Sequence, residues 1–268
     1  VAYITLLKIK SLKIKIVKIG GNIIDDAVAL DAFLSSFAKL EGPKVLVHGG
    51  GKLTTRLAEQ MQIPVQMIDG RRVTNAETLD VITMVYAGKI NKNIVAKLQA
   101  YDCNTVGFSG ADGNTIIAKK RPVKTIDYGF VGDVVNVETK VLKLLLENAI
   151  TVAFCAISHD QNGQLFNTNA DTIASEISIA LAKDFDVELY YCFEKNGVLK
   201  EVEDEDSVIE EINPISYQEL KETKVIFEGM IPKLDNCFYA LENGVQNIYL
   251  GKPEMIFNTQ TQHTTITN

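Results

Sequence analysis

A layered α/β fold, a three-layer αβα sandwich with a mainly parallel central sheet, is what this sequence predicts, on three observations. Apolar strand-like runs alternate with helical stretches along the chain, the pattern of a parallel sheet covered on both faces. Two of the runs end in glycine clusters, Lys18-Ile19-Gly20-Gly21 and His48-Gly49-Gly50-Gly51, with a helix-like stretch from Ala27 to Leu40 between them. That arrangement is a βαβ unit whose two loops open at the same edge of the sheet, where open α/β sheets bind ligands. Finally, 268 residues with 46% hydrophobic and 23% charged content suffice for one large domain or two tightly joined lobes.

The elements follow in order. Lys8, Lys10, Lys13 and Lys15 interleave with Ile9, Leu12, Ile14 and Ile16, which reads as a solvated strand face leading into a first strand at Ile14–Ile19. After the Ala27–Leu40 helix come a strand at Lys44–Val47 and a helix at Thr54–Met61. Asp69-Gly70-Arg71-Arg72-Val73-Thr74 reads as a turn and a helix start, with Thr74 as cap and Glu77 three residues on. A long helical stretch, Ala76–Ala100, precedes a strand at Thr105–Phe108 and a turn at Asp112-Gly113-Asn114. Thr115–Val137 is rich in β-branched residues and turns, so a hairpin is expected there. A helix at Lys140–Asn148, a strand at Thr151–Ala156, a helix at Asp171–Ala182 and a strand at Val187–Cys192 complete the alternation. The polar tract Phe257–Asn268 reads as a frayed tail or a final exposed strand.

Composition removes several function classes. A formal net charge of −7 opposes nonspecific nucleic-acid binding, which needs clustered positive charge. Cys103, Cys155, Cys192 and Cys237 are scattered without a C-x-x-C pair, so neither a disulfide framework nor a zinc site is expected. The three histidines, His48, His159 and His263, are also far apart. Val1 to Leu7 is apolar, but Lys8 interrupts it too early for a membrane span or signal-peptide core. A soluble cytoplasmic protein with reduced thiols, no protein-held metal and no membrane partner is the expectation.

The glycine clusters carry the chemistry. Glycine lets backbone N–H groups approach an anion without a Cβ in the way, and Lys18 adds a mobile positive charge, so the junctions read as a phosphate or carboxylate site. Arg72, delivered at a turn, is suited to gripping a carboxylate with two parallel hydrogen bonds. Asn167-Thr168-Asn169-Ala170-Asp171 concentrates short polar groups at a helix start, where Asp171 is placed to orient lysine ammonium groups or a bound metal. Gly229-Met230-Ile231-Pro232-Lys233 places a second lysine after a glycine, and Cys192–Leu199 runs from a strand end into a turn. Each segment alone also has a plainer reading as turn glycines, a surface arginine or a capped helix.

Their succession, K-x-G-G, H-G-G-G, G-x-R-V-T, N-x-N-A-D and G-M-x-x-K, resembles the amino-acid kinase superfamily, most closely its N-acetylglutamate kinases of arginine biosynthesis, from about Lys13 to Ile256. The resemblance implies the amino-acid kinase fold and ATP-dependent phosphorylation of the γ-carboxylate of an N-acyl-L-glutamate. It implies that Lys18 and Lys233 stabilise the transferring phosphoryl group and that Asp171 positions both. Gly20 and Gly21, with Gly50, would donate N–H groups to phosphate oxygens. Gly50, Gly51, Arg72, Asn167 and Asn169 would form the acylamino-acid pocket, and Glu194, Gly197 and Gly229 would hold ATP, with Mg2+ carried on the nucleotide phosphates. Residues 1–177 would bind the acylamino acid and 178–268 the ATP, on one continuous sheet.

The chain departs from the family pattern in three places. Phe193-Glu194 stands where the family usually has Ser or Thr and then Asp, which puts the details of ATP binding in doubt. Arg71 replaces an apolar residue before the pocket arginine, which suggests an acyl group with its own carboxylate, such as succinyl. The stretch before Lys18 is short and strand-like, whereas arginine-inhibited relatives carry an extra N-terminal helix, so a homodimer without arginine feedback is expected.

Other readings are carried alongside. Other superfamily activities share the phosphate machinery, and a nucleotide- or anion-binding module that has lost transfer would keep the same fold. H-G-G-G also occurs as an esterase oxyanion loop, but Gly107-Phe108-Ser109-Gly110-Ala111 lacks the final glycine of a nucleophile elbow. Neither glycine cluster completes the G-x-G-x-x-G of a dinucleotide-binding dehydrogenase.

Overall fold

The computed structural model describes residues 12–268 except 69, 227, 228 and 259. Lys8, Ile9, Lys10, the apolar Val1–Leu7 and Asp69 therefore lie outside the described residues.

The first strand, β1 (Lys13–Ile19), buries Ile14, Ile16, Val17 and Ile19 completely, because it runs through the middle of the sheet with helices on both sides. A short helix α1 (Gly21–Asp25) and α2 (Ala27–Ala38) lead to β2 (Lys44–His48), all five residues of which are buried. Then come α3 (Gly51–Gln60), a small hairpin of β3 (Met67–Ile68) and β4 (Arg71–Arg72), α4 (Ala76–Thr83), a π-helical segment Met84–Ile90 and α5 (Asn91–Ala100). Next are β5 (Thr105–Phe108), β6 (Ile116–Lys120), β7 (Gly132–Val137), α6 (Lys140–Glu147), β8 (Thr151–Cys155), β9 (Ile157–His159) and β10 (Leu165–Asn167). The rest comprises α7 (Ala170–Ala182), β11 (Asp186–Cys192), β12 (Glu211–Ile212), α8 (Pro214–Glu222), α9 (Met230–Glu242), β13 (Asn247–Gly251) and β14 (Thr264–Ile266).

The central sheet has eight strands in the order β12-β14-β13-β11-β1-β2-β8-β5. From β13 to β5 every neighbouring pair is parallel, and only β14 runs against β13. The register aligns Ile19 with His48 and Cys192, and His48 with Cys155, so the loops after these strands emerge at one edge. A second sheet, β10-β9-β6-β7, stands beside that edge.

Several expectations change in detail. The Thr115–Val137 hairpin forms as antiparallel β6 and β7. Asn75, one residue after Thr74, caps α4 by accepting from the Thr78 N–H at 2.8 Å, while Thr74 is buried with its hydroxyl on the Arg72 carbonyl. Gly70, at φ +70°, and Arg71–Arg72 accordingly belong to the β3–β4 hairpin rather than to a turn running into a helix. Ala76–Ala100 is helical throughout, but its middle is π-helical. The C-terminal tract contains a buried strand, not an exposed one, since β14 inserts between β12 and β13 with Thr264 and Ile266 shielded. Within the basic run, Lys13 and Lys15 do not form a purely solvated face, since both pair with Glu188 on β11. All four cysteines are free and buried. Among the described residues no helix is long and apolar enough to cross a membrane.

Candidate active site

Three elements from distant parts of the chain place three charges together. Lys18 lies near the end of β1, Asp171 in the first turn of α7 and Lys233 in the first turn of α9. Lys18 Nζ lies 2.7 Å from Asp171 Oδ1, and Lys233 Nζ donates to Asp171 Oδ2 at 2.8 Å. All three side chains are largely buried, with 13–15% of their surface exposed. One carboxylate between two ammonium groups leaves a net positive charge, and a site that holds both lysines at fixed separation is built to receive an anion.

Asp171 owes its place to Asn169, whose side chain caps α7 by accepting from the N–H groups of Asp171 at 2.7 Å and Thr172 at 3.3 Å. Burial opposes ionisation of the Asp171 carboxyl, but the charges of Lys18 and Lys233 overcome it and hold the group well below the usual carboxylate range. Burial also lowers the Lys18 ammonium, an effect that attraction to Asp171 counters and repulsion by Lys233 reinforces.

A cavity of about 420 Å³ opens beside the trio, lined by Lys18, Gly21, Gly50, Gly51, Arg72, Asn167, Asn169 and Asp171 among others. Arg72 is 8% exposed and donates through Nη2 to Thr55 Oγ1 at 2.8 Å and to the Gly51 carbonyl at 3.3 Å. Its Nη1 is buried with no partner among the described residues. An unmatched buried donor costs about 1–3 kcal/mol, and a ligand carboxylate would supply the missing acceptor. Asn167 Nδ2 donates to Thr74 Oγ1 at 3.1 Å, fixing its amide at the wall.

The second glycine loop is held from behind. His48 is buried and Nδ1 lies 2.9 Å from the Gly49 carbonyl, while Asn91 Nδ2 lies 3.0 Å from Nε2 and 2.8 Å from the Ala153 carbonyl. These contacts assign the Nδ1–H tautomer, with Nε2 accepting. Gly50 has no room for a side chain, since a Cβ there would meet Ile90 at 2.5 Å and Tyr86 at 2.9 Å. The π-helical segment aims both of those residues at the loop.

The first loop corrects one assigned role. The Gly20 N–H already bonds to the Cys192 carbonyl at 2.9 Å, so it is not free for a phosphate oxygen, whereas Gly21 lines the cavity. The three residues expected at a nucleotide do not line the main cavity. Glu194 is exposed and borders a separate cavity of about 380 Å³ with Phe193, Phe33 and Phe257. Gly197 is buried, and its missing side chain makes room for Thr264 on β14. Gly229 is an exposed residue immediately before α9. Sequence reasoning missed Tyr86, Arg121, Asp235 and Asn236, which also line the main cavity. None belongs to a motif, and only the fold brings them in.

The amino acid kinase family profile matches residues 13–252. The chain belongs to the amino acid kinase family. It is similar to the acetylglutamate kinase of Cytophaga hutchinsonii, with 52% identity over 95% of this chain and 97% of that protein. The acetylglutamate kinase of Phocaeicola vulgatus is 50% identical over 89% of this chain and 93% of its own length. Among solved structures, smu.665 from Streptococcus mutans superposes with a TM-score of 0.77 at 28% identity, covering 95% of this chain and 98% of that one.

Proposed function

We propose that this kinase transfers the γ-phosphoryl group of ATP to the γ-carboxylate of an N-acyl-L-glutamate, N-acetyl-L-glutamate in the first instance, as a step of arginine biosynthesis. The observation that carries the reading is the Lys18–Asp171–Lys233 trio opening on an anion-ready cavity, in a chain 52% identical to an acetylglutamate kinase along nearly its whole length.

A glutamate γ-carboxylate has a pKa of about 4.3, so at neutral pH the nucleophile is already ionised and no catalytic base is needed. The task is to bring two anions in line, and their repulsion is about 4 kcal/mol for unit charges at 4 Å in an effective dielectric of 20. In this reading Lys18 and Lys233 offset that repulsion at the moving phosphoryl group, Asp171 holds both ammonium groups in place, and the Gly21 and Gly50 loops give close backbone approach. Arg72 takes the α-carboxylate, with Asn167 and Asn169 on the acylamino acid.

ATP lies towards residues 178–268, near Glu194, Gly197 and Gly229, and the acylamino acid towards residues 1–177. Mg2+ enters on the nucleotide phosphates. The cytoplasm and a homodimer complete the reading.

Arg71 supports a finer choice of acyl group. It lines the cavity, so a second carboxylate on the acyl group would meet its positive charge, whereas the neighbouring Arg121 is already ion-paired to Asp133 at 2.7 Å. ADP release from Mg-ATP with N-acetyl-L-glutamate and N-succinyl-L-glutamate side by side tests both points. The kinase reading requires turnover with one of them. An unchanged acyl preference in Arg71→Leu would remove the succinyl refinement.

A further inference from the structure

We propose that Tyr191 is a positioning residue for phosphoryl transfer: its hydroxyl fastens α7, which carries Asp171, to the sheet, it reaches α9, which carries Lys233, through Ser175, and its ring supports the Lys233 side chain from the sheet. The inference deepens the kinase reading and rests on it.

Tyr191 is fully buried on β11 and is the register neighbour of Lys18 on β1. In a parallel pair such neighbours face the same side, so Tyr191 stands beside Lys18 beneath the two helices. Its hydroxyl lies 2.9 Å from Ser175 Oγ and 3.1 Å from the main-chain carbonyl of Asp171. Ser175 Oγ in turn lies 2.9 Å from the main-chain carbonyl of Asn236 on α9, and Thr172 Oγ1 lies 3.4 Å from the Asn236 side chain. The two hydroxyls, with one proton each to share among these contacts, together touch a strand and both helices, and the link to α9 is made by Ser175. The Lys233 ammonium lies 5.3 Å from the centre of the Tyr191 ring and 5.7 Å from that of Phe193, within cation–π range.

Packing alone does not call for this arrangement. A phenylalanine would fill the same volume without a buried hydroxyl to satisfy, and the tyrosine brings a polar group that is costly unless bonded. The hydroxyl does not line the substrate cavity, so it acts through the groups it holds. What it holds directly is the start of α7, at Asp171 and Ser175, and through Ser175 the seat of α7 against α9, which sets the separation of Asp171 from Lys233. A lysine stem is flexible, so its head is only as well placed as its partners. A displacement of about 1 Å at such a centre is enough to cost about a hundredfold in rate.

The test uses the full chain with Tyr191→Phe, Tyr191→Leu and Ser175→Ala. Each is measured for kcat, for KM with acylglutamate and with ATP, for Tm, and by crystallography of Tyr191→Phe. The expected result for Tyr191→Phe is a folded protein whose KM values stay within about threefold while kcat falls about tenfold to a hundredfold. Ser175→Ala should follow in the same direction, and Tyr191→Leu should lose more because the ring goes as well. The Lys233–Asp171 contact should open beyond hydrogen-bond distance in the Tyr191→Phe crystal. Wild-type kcat in Tyr191→Phe, or a kcat loss confined to the variants whose Tm falls, would overturn the proposal. If the wild-type protein turns over no acylglutamate, the kinase reading fails by itself. The Lys233–Asp171 distance in the Tyr191→Phe crystal then still decides the positioning role, retained contact counting against it and an opened one for it.

Discussion

At the scale of single residues, the site depends on groups that are buried without being inert. His48 shows this most clearly. Burial pushes its imidazole down from the ordinary 6.5 to about 4, so in the folded protein it stays neutral where an unfolded chain would already be protonated. Between those two values the unfolded state binds more protons, so stability rises with pH across that window and is lost as pH falls through it. Fully expressed, the difference amounts to about 3 kcal/mol. His48→Asn should be less stable than wild type at neutral pH and should lack this component of the acid-side slope. Thermal melts of both proteins taken between pH 4 and pH 7 check it, and parallel slopes would remove the assignment. The histidine was legible as part of H-G-G-G, yet its role behind the loop was not, because its partner Asn91 comes from a helix 43 residues away. Lys18, Asp171 and Lys233 were legible as motif residues. The competing bond on the Gly20 N–H was not, since it runs to a different strand.

At the scale of elements, strong apolar periodicity carried most of the reading. The strand Thr105–Phe108 forms between the expected residues, and the other expected core strands form within a residue of their expected ends. Two kinds of element escaped. Short ones such as β3, β4, β9 and β10 span two or three residues and take their definition from partners rather than from local pattern. The π-helical turn at Met84–Ile90 escaped because its sequence is compatible with an ordinary helix, and packing against Gly50 explains what it does there. That packing continues to β5. A Cβ at Gly107 would stand 1.9 Å from Asn91 Oδ1, and Asn91 cannot retreat because it is committed to His48 and Ala153. Gly107→Ala should therefore cost about 1–3 kcal/mol, as other overpacked core sites do. Adding Asn91→Ala should recover part of that loss. Chemical denaturation of the two single variants and the double variant measures the coupling, and strict additivity would exclude the clash as the cause.

At the scale of the whole molecule, the parallel sheet converts sequence separation into proximity. Lys18, Asp171 and Lys233 are spread over most of the chain and meet because β1, α7 and α9 converge on the C-terminal edge of the strands. The order of the motifs revealed the family, while the cavity walls supplied by Tyr86, Arg121, Asp235 and Asn236 became visible only with the fold. The pair of lysines bridged by a single carboxylate is the centre of the functional account. Its direct test is to trap the product of Mg-ATP and N-acetyl-L-glutamate with hydroxylamine and quantify the hydroxamate. That signal requires an acyl phosphate and does not arise from ATP hydrolysis. The account predicts hydroxamate formation by the wild-type protein and a fall of about a hundredfold to a thousandfold in Lys18→Ala and in Lys233→Ala, the scale of losing one preorganised charge stabiliser. Hydroxamate formed by either variant at the wild-type rate would contradict it.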